Sequence, residues 1–155
     1  MIKISDLKSI KMLSNLSEPM LKKIMNITVI KEFGSNERIF REGEYAERLY
    51  AVFTGKVALE IDIQSDAALR VKDIYPGRVF GISSVVDTER RTYISAARTL
   101  QDTTVFCWKS SDLEKLFYND YELGFLFMRN VARVLKMRLQ IKRAQMGQEL
   151  YAAHG

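Results

Sequence analysis

The stretch IFREGEYAERLYAVFTGKVALEI, residues 39–61, decides the fold of this chain. It runs through three short segments rich in aromatic and β-branched residues, Arg38–Arg41, Arg48–Thr54 and Lys56–Ile63, the first and last of which extend just beyond it. Turn signals at Gly43-Glu44 and Thr54-Gly55 separate them, and such spacing predicts strands joined by tight turns. Within the third segment, Val57, Leu59, Ile61 and Ile63 alternate with Ala58, Glu60 and Asp62, the period of two expected of a strand with one face exposed.

The same texture extends in both directions. Strand signals recur at Ile27–Phe33, Leu69–Ile74, Thr92–Thr99 and Thr103–Lys109, with turns at Gly34-Ser35-Asn36, Ser65-Asp66 and Pro76-Gly77. About eight strands spaced so closely predict an antiparallel sandwich or barrel, since parallel strands need long crossovers between them. Helical spacing flanks this region. Residues 5–32 carry Leu7, Ile10, Leu13 and Leu16 at helical intervals, with Ser5 and Asp6 as caps. A second helix restarts at Ser17-Glu18-Pro19, where Ser17 suits the N-cap and Pro19 the first turn. Downstream, Ser111-Asp112-Leu113-Glu114 matches a capping box, with Ser111 as N-cap and Glu114 reaching back, and the longest helix follows over about residues 121–150. The expectation is one α+β domain over residues 1–155, with N-terminal helices over about 5–26, a β-barrel over about 27–109 and C-terminal helices over about 111–150.

Composition narrows the function. The chain has 155 residues, 47% of them hydrophobic, enough to build a core without staples. Its one cysteine, Cys107, lies in an apolar run and reads as a small buried hydrophobe in a reducing compartment. The N-terminus is charged from its third residue, and no apolar run approaches the roughly 20 residues of a membrane span, so a soluble cytoplasmic protein is expected. A net charge of +5 is compatible with an anionic ligand or partner. The one histidine, His154, stands next to the last residue, and the sequence has no Cys/His metal cluster, phosphate-binding P-loop or Ser/His/Asp set. A binding protein is expected, not an enzyme.

Three stretches, residues 39–61, IYPGRVFG at 74–81 and RTYISAART at 91–99, together resemble the cyclic-nucleotide-binding domain, the effector domain of catabolite activator protein and of protein kinase A regulatory subunits. The glycines Gly43, Gly55, Gly77 and Gly81 fall as in that family, and MLSNLSEPMLKKI at 12–24 resembles its helical lead-in. The resemblance implies an antiparallel β-roll, or jelly-roll barrel, flanked by helices. It also implies a cassette in which a short helix and one arginine hold a cyclic phosphate, as helix N-termini and guanidinium forks hold anions generally. Carried onto this sequence, the cassette gives Gly81, Ser83, Arg91 and Thr92 as candidate ligand residues, and the spacing to Ala97-Arg98-Thr99 favours Arg91 over Arg90. Two positions depart from the family. Ile82 stands where a carboxylate accepts the ribose hydroxyl, and Tyr93 stands where a small residue leaves room. A ribose hydroxyl desolvated against Ile82 would cost roughly 1–3 kcal/mol. Apart from the resemblance, Arg91 in the run DTERR also reads as a solvated arginine paired with Asp87 or Glu89.

No acid lies between Glu122 and Glu149, while Arg129, Arg133, Lys136, Arg138, Lys142 and Arg143 do. Those cations read first as a solvated face, with nucleic acid or an acidic membrane as the functional alternatives. Phe127, Val131, Val134, Leu135 and Leu139 cover more of this helix than one wall contact needs and are candidates for a homodimer seam. Relatives of the family often carry a DNA-binding helix-turn-helix beyond this helix, and with the sequence ending at Gly155 none is expected in this chain. The readings that follow are a stand-alone dimeric sensor binding cyclic AMP or cyclic GMP weakly, or another phosphate-bearing anion, and, alternatively, a ligand-independent interaction scaffold.

Overall fold

The computed structural model describes residues 1–64, 67–86 and 90–154; the Ser65-Asp66 turn signal lies outside them. Among the described residues, eight strands form two four-stranded antiparallel sheets between N-terminal and C-terminal helices. The strands are β1 Val29–Phe33, β2 Arg38–Phe40, β3 Arg48–Thr54, β4 Val57–Gln64, β5 Ala67–Ile74, β6 Val79–Phe80, β7 Ala96–Thr99 and β8 Thr103–Lys109. One sheet runs β1-β8-β3-β6 and the other β2-β7-β4-β5. The helices are α1 Ile4–Lys8, α2 Glu18–Asn26, α3 Ser110–Asn119 and α4 Tyr121–His154. Among the described residues no helix is long and apolar enough to cross a membrane.

Two cores follow from strand periodicity. In β8, Phe106 and Trp108 point to the helices, where Leu7, Ile10, Leu21, Ile24, Leu123 and Phe127 enclose them. Val105 and Cys107 point the other way, toward Phe40, Tyr50, Val52 and Phe80 inside the roll. The first sheet is therefore apolar on both faces, and Arg48–Thr54 reads as a nearly unbroken apolar run because β3 is covered on both sides. Burial of the Cys107 thiol pushes its pKa up, as expected of a packed hydrophobe.

Several boundaries differ from those the sequence predicts. The first helical stretch breaks into α1 and a 3-10 turn at Lys11–Leu13, while its apolar residues stay in the core. Ser17 caps α2 as expected, accepting the Met20 N–H at 3.4 Å. The strand expected over 92–99 is shorter: Thr92 pairs only with Tyr45 in an isolated bridge, and the ladder begins at Ala96. The alternation of 57–63 fades along β4, and Ile63 is exposed because the β4–β5 hairpin bulges and runs past the core. α3 begins at Ser110, so Ser111 is already helical and Glu114 lies beyond the position from which a capping box closes. That shift sends the Glu114 carboxylate elsewhere.

Candidate functional site

A cavity of about 930 Å³ opens between the second sheet, residues 81–86 and 90–95, and α4. Its floor is set by Gly81, which has φ 79° and precedes a 3-10 turn over Ile82–Ser84. A Cβ at Gly81 would lie 3.0 Å from the Arg48 carbonyl oxygen and 3.3 Å from the rings of Tyr50 and Tyr93, so both backbone conformation and space require glycine. The Ser84 hydroxyl donates to the Gly81 carbonyl at 2.7 Å and is fully buried, which locks the turn. The chain returns through Thr92 and Tyr93 and is fixed against the 43–46 turn: Gly43 N–H donates to Tyr93 O, Tyr93 N–H to Glu44 O, and Ala46 N–H to Arg91 O, each at 2.9 Å.

Gly81, Ile82, Ser83, Thr92 and Tyr93 all line the cavity. The two departures from the family pattern are part of its wall: Ile82 is 8% exposed and Tyr93 5%. Tyr93 stacks on Phe40, ring centroids 3.6 Å apart, and its hydroxyl donates to the Arg48 carbonyl at 2.7 Å while accepting the Arg48 N–H at 3.1 Å. Burial pushes the Tyr93 phenol well above the ordinary tyrosine range, despite that backbone bond.

Arg91 is not on the wall. Its guanidinium reaches the start of α3, donating to Glu114 Oε1 at 2.9 Å and to Ser110 Oγ at 3.3 Å, with the side chain 16% exposed. The neighbouring Arg90 lines the cavity instead. Asp87 and Glu89, the other partners that the sequence offers Arg91, lie outside the described residues.

The opposite wall holds residues that the cassette pattern does not predict. α4 contributes Leu135, Arg138, Ile141, Lys142 and Gln145, and β5 contributes Lys72. Leu135, Arg138, Ile141 and Lys142 follow the three- and four-residue intervals of a single helix face, a signal present in the sequence but not tied to the roll without the fold. Burial and the nearby Arg78 pull the Arg138 pKa down to about 10; burial, then Arg138, Arg78 and Lys142, lower that of Lys72. A second cavity, of about 440 Å³, lies behind Arg138 against Met12 and Val134.

The candidate dimer residues divide. Phe127 and Val131 are enclosed in this chain's own core, and Val134 packs on it, so these three are taken up by the fold. Leu135 and Leu139 stay 43% and 60% exposed and begin the outward apolar face.

The sequence model of the cyclic nucleotide-binding domain family matches residues 30–120. A putative cyclic nucleotide-binding protein from Geobacter metallireducens is 29% identical, with TM-score 0.78, over 90% of this chain and 99% of that one. The catabolite activator protein of Thermus thermophilus shares the fold at 21% identity and TM-score 0.72, covering 87% of this chain and 61% of its own. The regulatory domain of Toxoplasma gondii PKA, solved with cAMP, shares it at 18% identity and TM-score 0.72, covering 86% and 48%. Among curated proteins none matches.

Proposed function

Because this chain belongs to the cyclic nucleotide-binding domain family, we propose that it is a regulatory sensor module that takes a small phosphate-bearing anion in the large cavity and signals through α4. The observation that carries this reading is that one cavity has residues 81–86 and 90–95 on one wall and α4 on another. An occupant touches both, so any difference in its affinity for two α4 positions shifts the population between them. The chemistry is binding and release, with no catalytic group required.

Cyclic AMP or cyclic GMP would bind weakly. Ile82 offers no acceptor to a ribose hydroxyl, and the Tyr93 ring occupies the wall where a small residue would leave space. The lost hydrogen bond weakens binding by about 1–3 kcal/mol, roughly 5- to 150-fold. On the cassette wall, Ser83, Thr92 and the backbone at Gly81 offer donors to a nucleotide, and Arg91 joins them only by leaving Glu114. Calorimetry with cyclic AMP, cyclic GMP and cyclic dinucleotides, on the wild type and on Arg91→Ala and Glu114→Gln, tests the reading. The expected result is binding of at least one of them by the wild type, strengthened in Glu114→Gln and weakened in Arg91→Ala. Silence from every nucleotide would remove the nucleotide-sensor reading.

A second reading, a ligand-independent dimerisation scaffold, draws on a different observation. The distal part of α4 exposes Leu139, Met146, Leu150 and Tyr151. It predicts dimerisation that no nucleotide alters.

A further inference from the structure

We propose that the anionic group of the ligand is held by the α4 wall of the cavity, by Arg138 and Lys142 together with Lys72 of β5, and that in binding there it takes over the contacts that hold the distal half of α4 to the roll. The inference rests on the cavity being a ligand site, as proposed above, and adds which wall carries the charge.

Beyond Val134, among the described residues, α4 makes two hydrogen bonds to the roll. Arg138 Nη2 donates to the Val79 carbonyl, and Lys142 Nζ donates to the Val71 carbonyl at 3.3 Å. Both acceptors are neutral. A cation on a neutral carbonyl lacks the Coulomb attraction that an ion pair adds, so an anion entering the cavity competes with both tethers.

Negative charge is what this wall lacks. Lys72, Arg138 and Lys142 converge on it, with Arg78 close by, and among the described residues none of them pairs with a carboxylate. Among the described residues the acid alongside, Asp73, is already engaged. It accepts Arg70 Nε at 2.6 Å and Nη2 at 2.5 Å, and Lys56 Nζ lies 3.5 Å away. Arg70 and Lys56 hold Asp73 well below the ordinary carboxylate range, and the downward pull on the Lys72 and Arg138 pKa values has the opposite origin, burial beside like charges. An anion between them relieves that repulsion. The rest of the wall, Phe40, Ile94, Leu135 and Ile141, suits an apolar or planar body. The ligand class is therefore an organic molecule whose planar or apolar part carries a phosphate, pyrophosphate or comparably compact anion turned toward α4.

The test uses inorganic pyrophosphate and cyclic AMP as probes, with calorimetry and methyl NMR on the full chain. Pyrophosphate is expected to bind the wild type and to shift the methyl signals of Ile141 and Leu135. Loss of one charge-assisted bond in Lys142→Gln should weaken binding about 10-fold or more, while Lys136→Gln, which removes an exposed α4 charge outside the cavity lining, should leave it unchanged. Arg138→Gln should weaken it further; Lys142 is exposed, so its variant reports on the site even if the Arg138 variant folds poorly. Pyrophosphate binding that survives both α4 substitutions, or that shifts neither methyl signal, overturns the proposal. A cyclic AMP affinity equal in wild type and both α4 variants leaves the sensor reading standing and removes this one. A wild type that binds neither probe nor any cyclic dinucleotide removes both.

Discussion

Tyr93 is held at both ends, its ring flat on Phe40 and its hydroxyl between the N–H and C=O of Arg48. Removing that hydroxyl strands two backbone groups in a partly buried position, which costs about 1–3 kcal/mol. Tyr93→Phe should therefore lower the denaturant midpoint with no change in fold, and a midpoint within error of wild type would show that the phenol is only filling space. The pH dependence has a definite sign. Burial raises the phenol pKa of Tyr50 to about 12 and that of Tyr93 as well, while an unfolded chain titrates near 10. The unfolded state thus loses its protons first. The stabilisation is complete below about 10 and declines as pH rises toward the folded values. Unfolding free energies measured from pH 8 to 11 should fall for the wild type and fall less for Tyr93→Phe. The position of Ile82 and Tyr93 on the cavity wall was legible in the sequence, because the glycine and the Ala-Arg-Thr run fix their spacing. The direction of Arg91 was not, since its partner Glu114 lies 23 residues away and presents its carboxylate only because α3 starts at Ser110.

Across β4 and β7, Arg98 forks onto Glu60, Nε to Oε1 at 2.9 Å and Nη2 to Oε2 at 3.0 Å, and its remaining nitrogen donates to Asn36 Oδ1 at 2.6 Å. Asn36 sits at φ 61°, a left-handed turn that asparagine tolerates, so one guanidinium ties two strands and the β1–β2 turn. The Arg98 bond holds the Glu60 carboxyl below its ordinary range. A depressed carboxylate stabilises above its unfolded pKa and loses that contribution as pH falls through the folded value. Glu60→Gln should therefore cost about 1 kcal/mol at pH 7, and the gap from wild type should close in acid; a gap that persists at pH 2–3 would argue that shape rather than charge holds the pair. Strand existence was readable here from turn glycines and β-branched runs. The fading of the 57–63 alternation was not: Leu59 and Ile61 line the cavity, and beyond the irregular pairing at Asp62/Gln64 the hairpin runs past the core. The early end of the strand expected over 92–99 has a similar origin: Thr92 and Tyr93 are held by the 43–46 turn instead of a ladder.

At the scale of the molecule, α4 does two jobs along its 34 residues. Its first third closes the helical core through Leu123, Phe127 and Val131, and beyond Val134, among the described residues, its hydrogen bonds to the roll are those of Arg138 and Lys142. The sequence reading groups Phe127, Val131, Val134, Leu135 and Leu139 as one candidate seam; the fold divides them, and substitutions should divide them too. Phe127→Ala opens a cavity in the core and should cost about 3–5 kcal/mol, registering as lost stability at every protein concentration. Leu139→Glu touches no core residue. It should leave the thermal midpoint of a monomer unchanged within the usual surface range of about 0.5 kcal/mol while removing a self-complementary apolar contact. If two copies pair along this helix, sedimentation of the wild type shows a concentration-dependent dimer that Leu139→Glu abolishes and Phe127→Ala disrupts only through unfolding. A wild type that sediments as a monomer at high concentration leaves the exposed face without a second copy. Signalling through α4 would then have to pass to a different partner, and the Arg138 and Lys142 tethers, not a dimer seam, would set the position of its distal half.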